Sequence, residues 1–289
     1  MLNRIFITGI DRIFTGIALA SFFLLVLLYS NGFIIGSLFS IIAIYAYYEW
    51  LIICNASKYN IFFFLSVIIL FMGLLLMCHN HFIVSIFVYF SILIWLMMLL
   101  DLLLKLNIYK KLLSLNSSIV GLVFIVITWF LFISLGTTSY IEIIEYKYLL
   151  FSYSGSLDLI KYYLFLISIV SLTDISGYFV GKTIGKNSLC PSISPKKTVE
   201  GFIGSLIIPL VIFFILFNLN FSTPILVSDI IFMLSCCIFC TVGDLSVSVY
   251  KRFHDVKDSG NILPGHGGVL DRLDSYLPTI SILHIWLFL

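Results

Sequence analysis

The chain has 289 residues, of which 61% are hydrophobic and 10% carry charge, with a formal net charge of +2. Water-soluble domains carry about 25% charged residues, so this chain has too few charges to cover a soluble surface. The composition therefore predicts an all-α integral membrane protein, and the small net charge gives no indication of nucleic-acid binding.

Apolar runs of about 17–22 residues, long enough to cross a bilayer, recur along the chain. The first follows Arg4 and Arg12, but no cleavage site follows Ser30, so we interpret it as a retained span. The last run is short and contains Pro278. The pattern predicts about nine transmembrane helices, with eight or ten as alternatives. The predicted spans are 14–30, 33–54, 61–78, 82–100, 119–135, 159–180, 201–217, 230–250 and 273–289.

The placement of lysine and arginine predicts the orientation, because cytoplasmic loops carry an excess of basic residues. With a cytoplasmic amino terminus, all but two of the 16 basic residues lie on the cytoplasmic side. The exceptions are Lys147 and Lys161. Two charged loops, 181–200 and 251–275, then face the cytoplasm, where nucleotides are.

We expect one continuous membrane domain, in which residues 1–158 form spans with few motifs and residues 159–289 form the catalytic region. The first candidate site residue of this region is Asp174, near the end of a span. A carboxylate at membrane depth is costly and usually functional, although a helix-end residue reaching interfacial water is the alternative. Glycines recur every four residues after it and would let another helix or a ligand approach closely. These are Gly177, Gly181 and Gly185.

The segment from Ser194 to Thr198 resembles the start of a helix, with Ser194 as its cap and Pro195 in the first turn. Lys196 and Lys197 at such a position favour an anion site. The alternative is that the two lysines anchor the helix at the lipid headgroups.

A second polar segment, 248–274, is preceded by Asp244 near the end of the eighth span. Aspartates on separate elements beside basic side chains suit Mg²⁺ held jointly by protein and phosphate oxygens. Glycines around His266 allow backbone N–H groups to approach an anion. A solvated loop between spans is the alternative interpretation. The residues concerned are Ser248, Lys251, Arg252, Lys257, Asp258, His266, Gly267, Gly268, Asp271, Arg272 and Asp274.

These residues resemble the signature of the phosphatidate cytidylyltransferase family, also called CDP-diacylglycerol synthases. The upstream segment, from Asp174 to Gly201, is similar to that family as well, so the resemblance covers residues 170–275. Tyr250 stands where the family more often has an aliphatic residue or phenylalanine, at a packing position. The amino-terminal half matches only as apolar spans, with Glu49-Trp50 as a further similarity.

The resemblance implies an inner-membrane enzyme that makes CDP-diacylglycerol and pyrophosphate from CTP and phosphatidate, with its active site on the cytoplasmic side. It also implies a homodimer. The phosphate monoester of phosphatidate is already an anionic nucleophile, so the difficulty is to bring two polyanions together. Bound cations and basic side chains do this and stabilise the leaving pyrophosphate.

We therefore expect one Mg²⁺ ion, or two cations, held by Asp244 and Asp271 with Asp258 or Asp274 in support. The other expected roles divide into phosphate contacts, an anion-binding turn and a second phosphate-holding loop. The phosphate contacts are Lys251, Arg252, Lys257 and Arg272; the turn is His266, Gly267 and Gly268; the loop is Ser194, Lys196, Lys197 and Thr198; Asp174 and Ser248 complete the substrate site.

Two other functions remain open. A secondary transporter also has intramembrane acids, but its charges should lie near the midplane in two related halves. Here the charges lie in loops on one side. An enzyme that uses CTP on another membrane lipid would share the chemistry but should differ in the pattern from Ser248 to Asp274.

Overall fold

The computed structural model describes residues 21, 25, 26, 32–55, 81–135, 156–220, 226–260, 262 and 267–288. These residues are almost entirely helical, with one short antiparallel hairpin. In chain order the elements are α1 (Gly32–Ile53), α2 (His81–Leu104), α3 (Ile108–Ser134), α4 (Ser156–Ile184), β1 (Ser188–Cys190), β2 (Ser194–Thr198), α5 (Val199–Asn220), α6 (Val227–Phe253), α7 (Leu270–Leu273) and α8 (Tyr276–Phe288).

Within the described ranges, the six helices α1 to α6 each contain a stretch long and apolar enough to cross a membrane. Many of their large apolar side chains are exposed, as lipid-facing residues are. The all-α multi-pass prediction is therefore confirmed. The predicted spans 61–78 and, apart from three residues, 14–30 lie outside the described residues. The last predicted span becomes α7 and the 13-residue α8, which is mostly buried, so the number nine stays a prediction.

Helix α3 has a break that explains why its predicted span begins later than the helix does. Asn116 has extended backbone angles inside the helix, and its Oδ1 accepts a hydrogen bond from the Ile119 N–H at 3.1 Å. The side chain therefore caps the second, apolar segment. The first segment carries Lys110 and Lys111.

The polar ends of the helices meet at one end of the bundle, which we call the charged end. The last turn of α1 lies beside the break in α3, because Trp50 Nε1 donates to the Ser117 carbonyl at 2.9 Å. The end of α6 reaches the β hairpin, where Arg252 Nε donates to the Ile193 carbonyl at 3.3 Å. Helices α1, α2, α4 and α6 thus end there, and α3 and α5 begin there.

Aromatic packing fixes α1 against α6 just beneath the charged end. The rings of Trp50 and Tyr250 stack with centroids 3.7 Å apart, and the Tyr250 hydroxyl donates to the Trp50 carbonyl at 2.6 Å. Both side chains are fully buried. Tyr250, noted above as a departure from the family pattern, is therefore a packing residue with a satisfied hydroxyl.

The glycines of α4 let this helix cross α5 at very short range. The sequence predicted the close approach of either another helix or a ligand at these glycines, and α5 is such a helix. A Cβ on Gly201 of α5 would lie 2.7 Å from the Gly177 carbonyl oxygen and 3.1 Å from the Gly181 Cα. Only glycine is compatible with so close an approach, since a methyl group would overlap the facing backbone.

The predicted helix start at Ser194 and Pro195 is wrong. Residues Ser194–Thr198 form strand β2, which pairs antiparallel with Ser188–Cys190. Helix α5 begins at Val199, and Thr198 precedes it with Oγ1 accepting the Gly201 N–H at 3.1 Å. The cap is therefore the threonine that follows the two lysines. The error arose because a Ser-Pro pair suits a strand edge as well as a first helical turn.

Candidate active site

A cavity of about 640 Å³ opens at the charged end between α4, the hairpin, α5, α6 and α7. This volume lies within the range of small-molecule sites, about 300–1,000 Å³. Its lining combines glycines, two aromatic residues and charged side chains of both signs. The charged lining residues are Asp174, Lys182, Lys196, Lys197, Asp244, Asp271, Arg272 and Asp274.

Lys197 and Asp244 form an ion pair inside the cavity, between Lys197 Nζ and Asp244 Oδ2. The two side chains are 29% and 28% exposed, so a ligand can reach both. Burial alone would lower the pKa of Lys197, but Asp244, Asp274 and Asp174 raise it above its usual value. Ser248 donates to Asp244 Oδ1 at 3.3 Å from the next turn of α6. The ion pair therefore places a lysine that stays protonated next to a carboxylate.

Asp274 reaches the cavity because α6 has a glycine where the chain after α7 crosses it. A Cβ on Gly243 would overlap the Asp274 carbonyl and contact Pro278. This close approach brings the buried Asp274 to the same cavity as Asp244. Asp174 enters from α4, with Oδ1 3.8 Å from the Cys240 Sγ.

A second ion pair joins Lys251 Nζ and Asp271 Oδ1 at 2.6 Å. It is more enclosed, with side chains 11% and 12% exposed. The other oxygen, Asp271 Oδ2, accepts the N–H groups of Ser259 at 2.9 Å and Gly268 at 3.2 Å. Burial raises the pKa of Asp271, but Lys251 and these N–H groups outweigh it and hold the pKa below its usual value.

The structure describes two glycines of the predicted anion-binding turn, Gly267 and Gly268, and shows what each of them does. Gly267 has a φ of +87°, a conformation that favours glycine. The Gly268 N–H is donated to Asp271 rather than directed into the cavity. His266 lies outside the described residues.

Several predicted site residues lie away from the cavity lining. Lys257 and Asp258 are exposed. Ser248 and Lys251 each donate a hydrogen bond to a lining aspartate without lining the cavity themselves, and Ser194 begins strand β2 outside the lining. Arg252 is exposed and donates to the carbonyl oxygens of Ile193 and Val256. In this arrangement Arg252 ties the hairpin to the segment after α6.

Glu49 on α1 is a residue of this region to which the sequence analysis assigned no role. It is 2% exposed and accepts the Ser259 hydroxyl at 2.9 Å and the N–H groups of Val269 and Leu270 at 3.0 and 2.8 Å. The available signal was a lone carboxylate inside an apolar span, which is costly and therefore functional by default.

The carboxylates of the cavity suit a Mg²⁺ ion only if substrate phosphates supply some of its ligands. Within the described residues, no group of three His, Cys, Asp or Glu side chains is arranged to hold a metal ion. Mg²⁺, however, usually binds through one or two carboxylates together with substrate phosphates. Asp174, Asp244 and Asp274 line one cavity beside basic residues and fit that shared arrangement. Asp258, which is exposed and outside the lining, does not.

The fold and the site define a multi-pass membrane protein with a charged cavity at one end, suited to phosphorylated ligands. A family model described as the cytidylyltransferase family matches residues 10–289. The chain belongs to the cytidylyltransferase family.

Curated relatives agree with this assignment. The chain is 46% identical over 143 residues to a phosphatidate cytidylyltransferase of Staphylococcus haemolyticus, covering 48% of this chain and 53% of the relative. It is 51% identical over 118 residues to one of Bacillus subtilis, covering 40% of this chain and 44% of the relative. A protein of the same name from Staphylococcus aureus is 45% identical over 143 residues, covering 48% and 53% of the two chains. The chain spans about half the length of the curated relatives it matches.

Proposed function

We propose that this protein transfers the cytidylyl group of CTP to phosphatidate, producing CDP-diacylglycerol and pyrophosphate. The observation that carries the proposal is the cavity at the charged end, where Lys196, Lys197 and Arg272 lie beside four carboxylates. The site belongs to a cytidylyltransferase chain, and the similar curated proteins are named phosphatidate cytidylyltransferases.

In the proposed reaction, a phosphate oxygen of phosphatidate attacks the α-phosphorus of CTP. A new P–O bond forms, and the bond from the α-phosphorus to the bridging oxygen breaks, so that pyrophosphate leaves with the electron pair. No general base is required, because the attacking oxygen is already anionic. Lys196, Lys197 and Arg272 neutralise the two polyanions and the charge that develops on the leaving group.

Asp244 would hold Mg²⁺, with Asp274 and Asp174 in support. When bound there, the ion would supply positive charge that offsets the negative charge of the reacting phosphates. Asp271, also expected to bind metal, has Oδ1 bonded to Lys251 and Oδ2 bonded to two N–H groups. We therefore propose that it shapes the site, leaving at most one lone pair of Oδ1 for a ligand.

The proposed active site faces the cytoplasm from the inner membrane. CTP enters the cavity from water while the acyl chains of phosphatidate stay in lipid. The basic residues at the charged end favour this orientation. We also propose the homodimer that the family resemblance implies, to be checked by the mass of the particle in detergent.

One assay tests the reaction. Purified protein in detergent is incubated with phosphatidate and CTP labelled in the α-phosphate, with and without Mg²⁺. We expect the label in the lipid phase only when Mg²⁺ is present. Absence of lipid-phase label under all conditions would refute the reaction, and transfer to another lipid but not to phosphatidate would refute the substrate.

The orientation has a separate test. Asp258→Cys places a thiol at an exposed position of the charged end, and an impermeant maleimide is applied to vesicles of known sidedness, with the unsubstituted protein as background. Labelling only from the cytoplasmic side supports the proposal. Labelling only from the outside would overturn it, because CTP is absent there.

A further inference from the structure

Glu49 is a buried carboxylate, and the described residues that donate hydrogen bonds to it come from one distant segment. Ser259, Val269 and Leu270 supply a hydroxyl and two backbone N–H groups at 2.8–3.0 Å. A buried carboxylate is costly unless such donors compensate it. The three bonds therefore tie the segment between α6 and α7 to α1, more than 200 positions earlier in the chain.

The same segment is held from its other side by Asp271. Ser259 contributes to both attachments, since its hydroxyl donates to Glu49 and its N–H donates to Asp271. Gly268 also lies between the two carboxylates, with its N–H on Asp271. A Cβ on Gly268 would overlap Ser259 Oγ and the Glu49 carboxylate, and one on Gly260 would lie 2.5 Å from Glu49 Oε1.

The attachment has a direct geometric consequence for the cavity. Val269 and Leu270 immediately precede Asp271 and Arg272, which line the cavity, and Asp274 follows. Helix α1 contributes no residue to the lining. Glu49 thus touches the start of α7 but not the cavity itself.

We propose that Glu49 is a positioning residue, which fixes the start of α7 and thereby the placement of Asp271, Arg272 and Asp274 in the cavity. The expected effect of Glu49 on turnover rests on the proposed cytidylyl transfer, whereas its expected effect on the start of α7 does not. A displacement of about 1 Å of groups that act on the transition state costs on the order of 100-fold in rate.

The test variant is Glu49→Gln, which replaces one acceptor oxygen by an NH₂ group facing backbone donors. The chain offers a matched control in Asp101→Asn. Asp101 accepts the N–H groups of Ile108 and Tyr109 at 2.9 and 3.2 Å, the same capping interaction at the same end of the bundle, but outside the cavity lining.

Two measurements are made on both variants in detergent. Hydrogen exchange should accelerate about tenfold or more for the amides of Val269 and Leu270 in Glu49→Gln, and for those of Ile108 and Tyr109 in Asp101→Asn. In the transfer assay, Glu49→Gln should lower kcat about tenfold or more while KM for CTP stays within about threefold, because Lys196 and Lys197 are untouched. Asp101→Asn should leave kcat unchanged.

The outcomes separate the two proposals. An unsubstituted protein without transfer activity refutes the proposed function, while hydrogen exchange still tests the attachment. Unchanged exchange at 269–270 in Glu49→Gln, or an equal loss of kcat in Asp101→Asn, overturns the positioning role. If Glu49→Gln does not fold, Ser259→Ala replaces it, since it removes one donor and keeps both carboxylates. An unaltered kcat and unaltered exchange in that variant likewise overturn the role.

Discussion

The two ion pairs of the site have the same chemistry and different surroundings. Lys197 and Asp244 both line the cavity and are 29% and 28% exposed, whereas Lys251 and Asp271 are 11% and 12% exposed. Asp271 also accepts hydrogen bonds from the backbone N–H groups of Ser259 and Gly268, which hold it in place. The open pair can exchange its partner for a ligand, while the enclosed pair holds a loop. We therefore propose that these four charged residues divide into a ligand-binding pair, Lys197 with Asp244, and a scaffolding pair, Lys251 with Asp271.

The largest expected effect comes from the carboxylate of the open pair. Asp244→Asn should lower kcat about 100-fold or more, because the charge that holds the cation beside the substrate phosphates is lost. Thermal unfolding in detergent should change little, since the pair is partly solvated. Activity close to that of the unsubstituted protein would show that Asp244 does not bind the cation.

The lysines of the two pairs should respond oppositely to the same substitution. Lys197→Met should lower kcat/KM for CTP about tenfold or more, with little loss of stability. Lys251→Met should lower the free energy of unfolding by about 3 kcal/mol, because Asp271 is left enclosed without its cation.

Lys251→Arg is the control for this prediction, as it keeps the charge. Unfolding titrations and transfer kinetics on all three variants make the comparison. If both methionine variants lost the same stability and the same activity, the division between an open and an enclosed pair would be wrong.

The crossing of α4 and α5 lies next to strand β2, which carries Lys197 of the open pair, and one methyl group can perturb it. Gly201→Ala should destabilise the protein by about 1–3 kcal/mol, because the new Cβ would overlap the Gly177 carbonyl. Gly36→Ala is the matched control, since among the described residues its Cβ would meet only Ile133, at 4.0 Å. With this single ordinary contact among the described residues, the control should be neutral or slightly stabilising, as alanine favours helices. Equal unfolding temperatures for the two variants would contradict the close crossing.

The smallest effect is expected for Arg252, although the sequence analysis placed it among the phosphate contacts. Its guanidinium donates to two carbonyl oxygens and is exposed, so Arg252→Met should change kcat less than about threefold and stability by less than about 1 kcal/mol. Transfer kinetics at saturating CTP check this. A decrease of kcat by tenfold or more would instead indicate that Arg252 contacts a substrate phosphate.

Some parts of the site were predictable because their signal is local. Asp174 and Asp244 stand out as carboxylates near the ends of apolar runs, Lys197 and Asp274 belong to the two polar segments, and the structure places all four on one cavity. The glycine repeat of α4 predicted a close approach, and α5 makes it. In each case the residue type itself restricts what its surroundings can be.

Other parts depended on contacts between distant segments. The strand at Ser194–Thr198 was mistaken for a helix start, because its pairing with Ser188–Cys190 cannot be read from either segment alone. The contacts of Glu49 were missed because its three described donors lie more than 200 positions away. Lys251 and Arg252 are adjacent in sequence, yet one is enclosed and the other exposed.

The sequence by itself determined that this is a multi-pass membrane protein of the cytidylyltransferase family, because hydrophobicity and motif spacing are properties of the chain. Only the tertiary structure decided which aspartates and lysines face the cavity and which bind the protein itself. The reason is physical: an aspartate can pair with a metal ion or with a basic side chain, and a lysine with a phosphate or with a carboxylate, and the fold determines which of these partners each residue meets.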